Sequence, residues 1–423
     1  MLTRILHNSP VLGNFFNELD LDFSKPQQQH ITNLVDAILV CESKKTLAAL
    51  QRQFVESVDS SNIADFLRIS PWYALDVRTR LRAFMLRFVL RQAEAAGAAK
   101  VIHVNIDDSI ADKHKATRHI EVIDHVFDHI ESKPKKPRYK NGLTYVIATL
   151  SVGGFQITTD VRLYLRARTV RRINRKRKPA DRIAFISKTR LAQAILKDLQ
   201  RWLPPDYRIY VHFDAWYAAA KLIKFIHRQG WFTVCAIKHN RKLNHTRVDR
   251  LARSLKHQRY QRVKLRAADK SLTTYLVREL TGRLEKTSFD VRVFISKRHH
   301  RDKRPAYFIS TDLTLSAKQA LQGYGLRWSC EVGNFYLKVF LGLKDFRVQS
   351  YEAVDKWCTI VHLAWAYLEW RFIKERSPQI RCPADILHKH RDEHAQDWLK
   401  GALLMAIQTA DIEFVLNRFL PAC

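Results

Sequence analysis

Four residues in the last third of the chain have the types and spacing to do chemistry. Tyr324, Arg327, Glu331 and Lys338 are separated by three, four and seven positions. On a helix those steps keep all four on one face, and the seven-residue step spans about 10.5 Å along the axis. A carboxylate with a guanidinium one turn before it and an ammonium two turns after it can hold a metal at its centre and grip phosphates at both ends. The ordinary alternative is an exposed Arg327–Glu331 pair, which contributes little. Two further acids stand out. Val101-Ile-His-Val-Asn-Ile106 alternates with a period near two and ends at Asp107-Asp108, and Tyr207–Phe213 is a second short strand ending at Asp214. Both read as strands ending in acid. The everyday role for such an aspartate is a helix N-cap.

The elements that must position these acids can be read around them. Residues 1–97 look helical: Ser24 is placed to cap a helix with Pro26 in its first turn, and Ile31, Leu34, Val35, Ile38 and Leu39 follow at helical spacing. After a break at Pro71, Leu81, Phe84, Met85, Phe88 and Val89 line a second face. Beyond Asp107 the basic run Ser132–Arg138 reads as a loop, and Leu143–Val152 and Phe155–Leu165 as strands turned by Gly153-Gly154. Ser187–Trp202 is an amphipathic helix, and Trp231–Lys238 a further strand. Between about Asn240 and Ser310 come more strands: Arg262–Ala267, Thr273–Glu279, Asp290–Ser296 and Tyr307–Ile309. Helices resume from Ser316, with Arg381–His394 a polar loop between the last of them. Alternating strands and helices argue for an α/β fold with a partly parallel sheet, whose sites form where strands end. The element order is that of a ribonuclease-H-like core with extra strands before its last helix.

Composition limits the function classes. Lys and Arg number 73 against 41 Asp and Glu, a net charge of +32, and such a surface seeks a polyanion, nucleic acid first. With 46% hydrophobic residues the chain is not disordered, and 423 residues suggest two or three domains. The six cysteines are scattered without a C-x-x-C pair and read as reduced thiols. The segment Met1–Phe16 lacks the apolar run of a signal peptide, and Trp357–Trp370 is too short for a membrane span and reads as a buried helix. A cytoplasmic, nucleoid-associated protein is expected, with no membrane partner.

With these residues in place, the spacing Y-(2)-R-(3)-E-(6)-K resembles the signature of the D-D-E transposases of bacterial insertion sequences. Val-Asn-Ile-Asp107-Asp108-Ser109 is similar to that family's first motif and Val-His-Phe-Asp214-Ala-Trp-Tyr to its second. The 117 positions between Asp214 and Glu331 are similar to its β-rich insertion before the final acid. The resemblance implies a ribonuclease-H-like core (98–239 and 311–345), a β-rich insertion (240–310), a helical N-terminal domain (1–97) for DNA-end binding and a helical C-terminal region (346–423). It implies two Mg²⁺ ions, replaceable by Mn²⁺, with Asp107 bridging both and Asp214 and Glu331 holding one each. Arg327 and Lys338 become phosphate contacts, and Tyr324 packs near the scissile end. Double-stranded DNA, both transposon ends and target, is the implied partner, with a homodimer forming on it. Asp107 and Asp108 both fit the first position; Asp107 is preferred. A transposase-derived regulator with a broken triad and a nuclease that hydrolyses without joining remain the alternatives.

Trp216 and Trp328 flank the acids and are candidates for stacking on an unpaired base, although burial in the core is the commoner fate of Trp. Arg166–Arg182 holds nine basic residues in seventeen and reads as a DNA-backbone contact rather than a solvated arm. Cys382, His388, His390 and His394 match no common zinc spacing and read as solvated.

Overall fold

Polar caps and prolines start the first helices where the sequence places them. The computed structural model describes residues 5–56, 60–128, 131–133, 136–266 and 271–419. Ser9 accepts the Leu12 amide at the start of α1 (Pro10–Leu19). Ser24 and Gln27 form a reciprocal capping box at α2 (Lys25–Val40), with Pro26 in its first turn. After α3 (Leu47–Gln51) and α4 (Ser60–Arg68), Pro71 breaks the chain before α5 (Ala74–Ala95). The expected apolar faces of α2 and α5 are buried, with Phe88 partly so.

Alternation then takes over. β1 (Val101–Asp112), β2 (Asp124–Phe127), β3 (Tyr139–Val152) and β4 (Phe155–Tyr164) come first. Gly153 and Gly154, with φ of 57° and 82°, supply the left-handed pair that a two-residue hairpin between β3 and β4 requires. Next are α6 (Ala167–Asn174), α7 (Lys188–Gln200), β5 (Arg208–Phe213), α8 (Ala220–Arg228) and β6 (Phe232–Ala236). The short β7 (Lys242–Leu243), β8 (Thr246–Arg247) and α9 (Val248–Ser254) lead to β9 (Gln261–Arg266), β10 (Leu272–Arg283), β11 (Asp290–Lys297) and β12 (Ala306–Ser310). The chain closes with α10 (Ala317–Gly325), α11 (Trp328–Phe335), a π-helical turn at Tyr336–Phe340, α12 (Tyr351–Lys374), α13 (Pro383–Thr409) and α14 (Ile412–Phe419).

One ten-stranded mixed sheet runs β2-β3-β1-β5-β6-β12-β11-β10-β9, with β4 also paired to β3. β1 is antiparallel to β3 and parallel to β5, which is parallel to β6. β12 joins β6 antiparallel. The later strands therefore extend the central sheet rather than building one of their own. On the other side of the molecule α12 packs against β4, α2, α5 and α13. Its Glu369 is buried and accepts the Thr158 amide at 2.8 Å and the Thr158 hydroxyl at 2.9 Å. The apolar run Trp357–Trp370 lies inside α12 and is buried, and among the described residues no helix is long and apolar enough to cross a membrane.

Several expectations need correction. β1 does not end at its acids: it continues to Asp112, because the long β3 supplies ladder partners as far as Asp112↔Gly142. The segment Arg381–His394 is mostly the start of α13, not a loop. Pro383 and Asp385 begin the helix, and burial of Ile386, Leu387 and His390 holds a polar sequence in place. The stripe from Tyr324 to Lys338 is divided between α10, α11 and the π turn instead of lying on one regular helix. The basic stretch, for which a solvated arm was the alternative set aside, is partly folded into the molecule: α6 buries Thr169, Val170 and Ile173. Arg168 there pairs with Asp124, and Arg177 bonds Glu352 at 2.6 Å. Of the segments read from the sequence, residues 1–4, 134–135 and 267, and one of the six cysteines, Cys423, lie outside the described residues.

Candidate active site

The first two acids are neighbours because of strand register. The last paired rung of β1 and β5 is Ile106↔Phe213. Asp107 and Asp214 follow it directly, one on each strand of a parallel pair whose neighbours lie about 4.8 Å apart. Asp214 leaves the sheet there and accepts the Trp216 amide at 2.9 Å and the Tyr217 amide at 3.2 Å. It thus fastens the turn after β5, while α8 is capped by Ala219. The expected N-cap role becomes a turn contact.

Side-chain alternation separates the two candidates for the first acid. Asp107 faces α10 and α11, where its carboxylate is bonded by Arg327. Asp108 faces the opposite side and pairs with Lys188, at the start of α7, at 2.6 Å. Helices therefore cover both faces of the sheet. Between Val101 and Ala111, the alternate residues of β1 on the Asp107 side are polar: His103, Asn105, Asp107 and Ser109. His103 meets His212 of β5 at 2.9 Å, Asn105 donates to Ser329 of α11 at 3.2 Å, and Lys338 donates to Ser109 at 2.9 Å. Gly333 lets α11 come this close, since a Cβ there would stand 2.9 Å from Ile147 on β3.

The helical stripe faces this ladder as its spacing predicts. Arg327 bonds Asp107 and lies 3.7 Å from Glu331, so one guanidinium bridges two of the three acids. Its centre is 5.8 Å from the Tyr324 ring, which packs edge-on against Phe308 of β12. Lys338 sits in the π turn, a local widening that recurs at functional sites. Arg327 was expected on a phosphate; here it neutralises acid. Trp216 and Trp328, for which the core was the commoner expectation, are 44% and 68% exposed. The Lys188 ammonium lies 4.9 Å from the Trp216 ring. Trp328 begins an exposed apolar row with Val332, Phe335 and Val339.

Burial raises the Asp107 carboxyl to about 7, working against the Arg327 guanidinium and with the nearby charges of Asp214 and Glu331. Burial likewise pulls the Lys338 ammonium down from its ordinary value. A buried carboxyl that resists its own negative charge is suited to a cation. The donors are all carboxylate oxygens, as hard divalent ions prefer. The three do not bring one oxygen each within 4.8 Å of the others. Among the described residues the group that does is Asp36, His390 and His394, far from this site in sequence. Those histidines are buried, which corrects the solvated reading, while His388 is exposed and Cys382 stands apart at the start of α13.

Sequence reasoning missed Lys188 and Ser329, and gave Asn105 and Ser109 no role beyond their places in the first motif. The signal for those two was present, as polar residues at period two in β1.

A mixed sheet clad by helices, with acids at adjoining strand positions under a third on a covering helix, defines an α/β protein with a carboxylate-lined candidate site. The family model for DDE superfamily endonucleases matches residues 14–286, and the chain belongs to that family. The matched span contains Asp107 and Asp214 and stops before Glu331. Among solved structures, a cryo-EM structure of a piggyBac transposase synaptic complex with hairpin DNA is similar at 12% identity, with a TM-score of 0.45, over 95% of this chain and 77% of that one. A comparison with curated proteins finds no match.

Proposed function

We propose that this DDE superfamily endonuclease is a DNA transposase that cleaves element ends and joins them to target DNA with Asp107, Asp214 and Glu331. The observation that carries the reading is the register of β1 and β5, which sets two acids side by side beneath Glu331, Arg327 and Lys338. The sheet order β4-β3-β1-β5-β6 supports a ribonuclease-H-like core, and β9–β12 its insertion. Asp107, Asp214 and Glu331 would together hold the two Mg²⁺ ions. Bound there, the ions supply an activated water or 3′-hydroxyl and neutralise the departing oxygen.

The chain's own residues do the rest. In the DNA-free state Arg327 compensates Asp107 and Glu331. An incoming phosphate competes for its guanidinium, which matches phosphate as well as carboxylate, and its release frees Asp107. Lys338, set down by Ser109, offers a second cationic contact. Trp216 and Trp328 present open indole faces to an unpaired base. The surplus of cationic residues suits double-stranded DNA as partner, and two subunits would each supply one such site. The helices of residues 1–97 are assigned to recognition of the DNA ends.

A supercoiled plasmid carrying the DNA that flanks this gene tests the reading. With Mg²⁺, joined products are expected; nicks without joining would reassign the protein as a hydrolytic endonuclease, and binding alone as a regulator. Glu331→Gln is expected to reduce cleavage to background while retaining end binding; normal cleavage by this variant would remove Glu331 from the site.

A further inference from the structure

A second constellation lies where the two ends of the chain meet. Asp36 on α2 and His390 and His394 on α13 are all buried. The two imidazoles are four residues apart, on one face of their helix. Both point Nε2 at the same carboxylate oxygen, Oδ1 of Asp36, at 2.7 and 2.8 Å. The other oxygen, Oδ2, accepts the Ser9 amide at 3.1 Å. The far nitrogen of His390 is 3.2 Å from the Tyr367 hydroxyl, which also accepts a bond from Arg371.

Two features distinguish this from a satisfied knot of hydrogen bonds. The first is charge. Asp36 is fully buried, and among the described residues the groups paired with it are the two imidazoles alone. The nearby guanidiniums are engaged elsewhere: Arg371 with Glu375 and Glu393, and Arg391 with Glu42. A carboxylate this deep in the interior is costly unless a cation meets it. The second is convergence. One donor atom from each residue lies within 4.8 Å of the other two. A tetrahedral site with metal–ligand bonds of about 2.0–2.1 Å has edges of about 3.3 Å, so widening each hydrogen bond by about half an ångström admits an ion. The outer contacts also fit: Tyr367 Oη can take an Nδ1–H from His390, and the Ser9 amide steadies the carboxylate, as ligand-orienting groups do.

We propose that Asp36, His390 and His394 bind a structural Zn²⁺ that fastens α2 to α13, separate from the acid site. Imidazole ligands select zinc over magnesium. Binding needs each histidine in its Nδ1–H tautomer, so neither ring changes charge. The site closes a loop of more than 350 residues and works on stability, not on the reaction.

Metal analysis of the full chain, equilibrated with zinc and then dialysed against excess Mg²⁺, tests this. One zinc per chain is expected, and equally in Asp107→Asn, so the result does not depend on the acid site. His394→Gln can still donate to Asp36 but cannot ligate through a ring nitrogen, and is expected to lose the zinc while staying folded. Cobalt substitution should give the visible absorption of a tetrahedral ion in the wild type and not in this variant. Chelation should lower the Tm of the wild type by several degrees, roughly the shift expected of losing a tight ligand, and leave His394→Gln unmoved. No zinc in the wild type, undiminished zinc in His394→Gln, or a wild-type Tm indifferent to both zinc and chelator would each overturn the proposal.

Discussion

At the scale of single residues, the sharpest distinction falls between adjacent aspartates. Asp107 and Asp108 are indistinguishable as letters, and both fit the same motif. Their side chains leave opposite faces of β1, one toward Arg327 and Glu331 and the other toward Lys188. Asp107→Asn is therefore expected to abolish Mg²⁺-dependent cleavage, whereas Asp108→Asn should retain it within about tenfold. The reverse ranking in a plasmid-cleavage assay would mean that Asp108 is the first acid. The stripe Tyr324–Lys338 was legible because helical spacing survives the break between α10 and α11 well enough to keep its residues on the sheet. What Arg327 does without DNA was not legible, because a guanidinium serves phosphate and carboxylate alike. The exposure of Trp216 and Trp328 also escaped the sequence, since burial depends on what lies opposite.

Among the elements, α12 and β4 meet through a group that titrates in a useful range. Burial raises the Glu369 carboxyl from its ordinary 4.5 to about 8, against the bonds it accepts from Thr158. Between those values the folded state holds a proton that the unfolded chain has lost, so stability falls as pH rises from about 4.5 through 8. Glu369→Gln removes that term. Urea midpoints of the variant are expected to vary less over this interval than those of the wild type; parallel pH profiles would show that Glu369 is ionised when folded. Strands and helices with strong periodicity, such as α2, α5 and β10, were readable from local pattern. α13 was not: its first turns are polar, and they are helical because His390 and Arg391 find partners on α2 and in the segment that follows it. The continuation of β1 past its acids was hidden for a similar reason, since the length of β3 decides it.

For the molecule as a whole, charge was the most direct reading of the sequence: +32 over 423 residues. Its distribution was not, because many arginines are spent on internal carboxylates, Arg82 on Asp160 and Arg168 on Asp124 among them. Of the basic stretch, Arg171, Arg175, Lys176 and Arg182 are exposed. Replacing these four with alanine should flatten the slope of log affinity against log salt by about 3–4, near 0.9 for each lost phosphate contact. An unchanged slope would place DNA on another face. The topology also sets an order of assembly during translation. The two strand aspartates leave the ribosome early, but their helical counterpart trails them by more than a hundred residues. α12, which covers α2, α5 and β4, follows later still. A polypeptide interrupted before Tyr351 would carry every carboxylate and yet lack the wall against which its own beginning must fold. The earliest helices therefore wait, partly uncovered, for the part of the chain made nearly last.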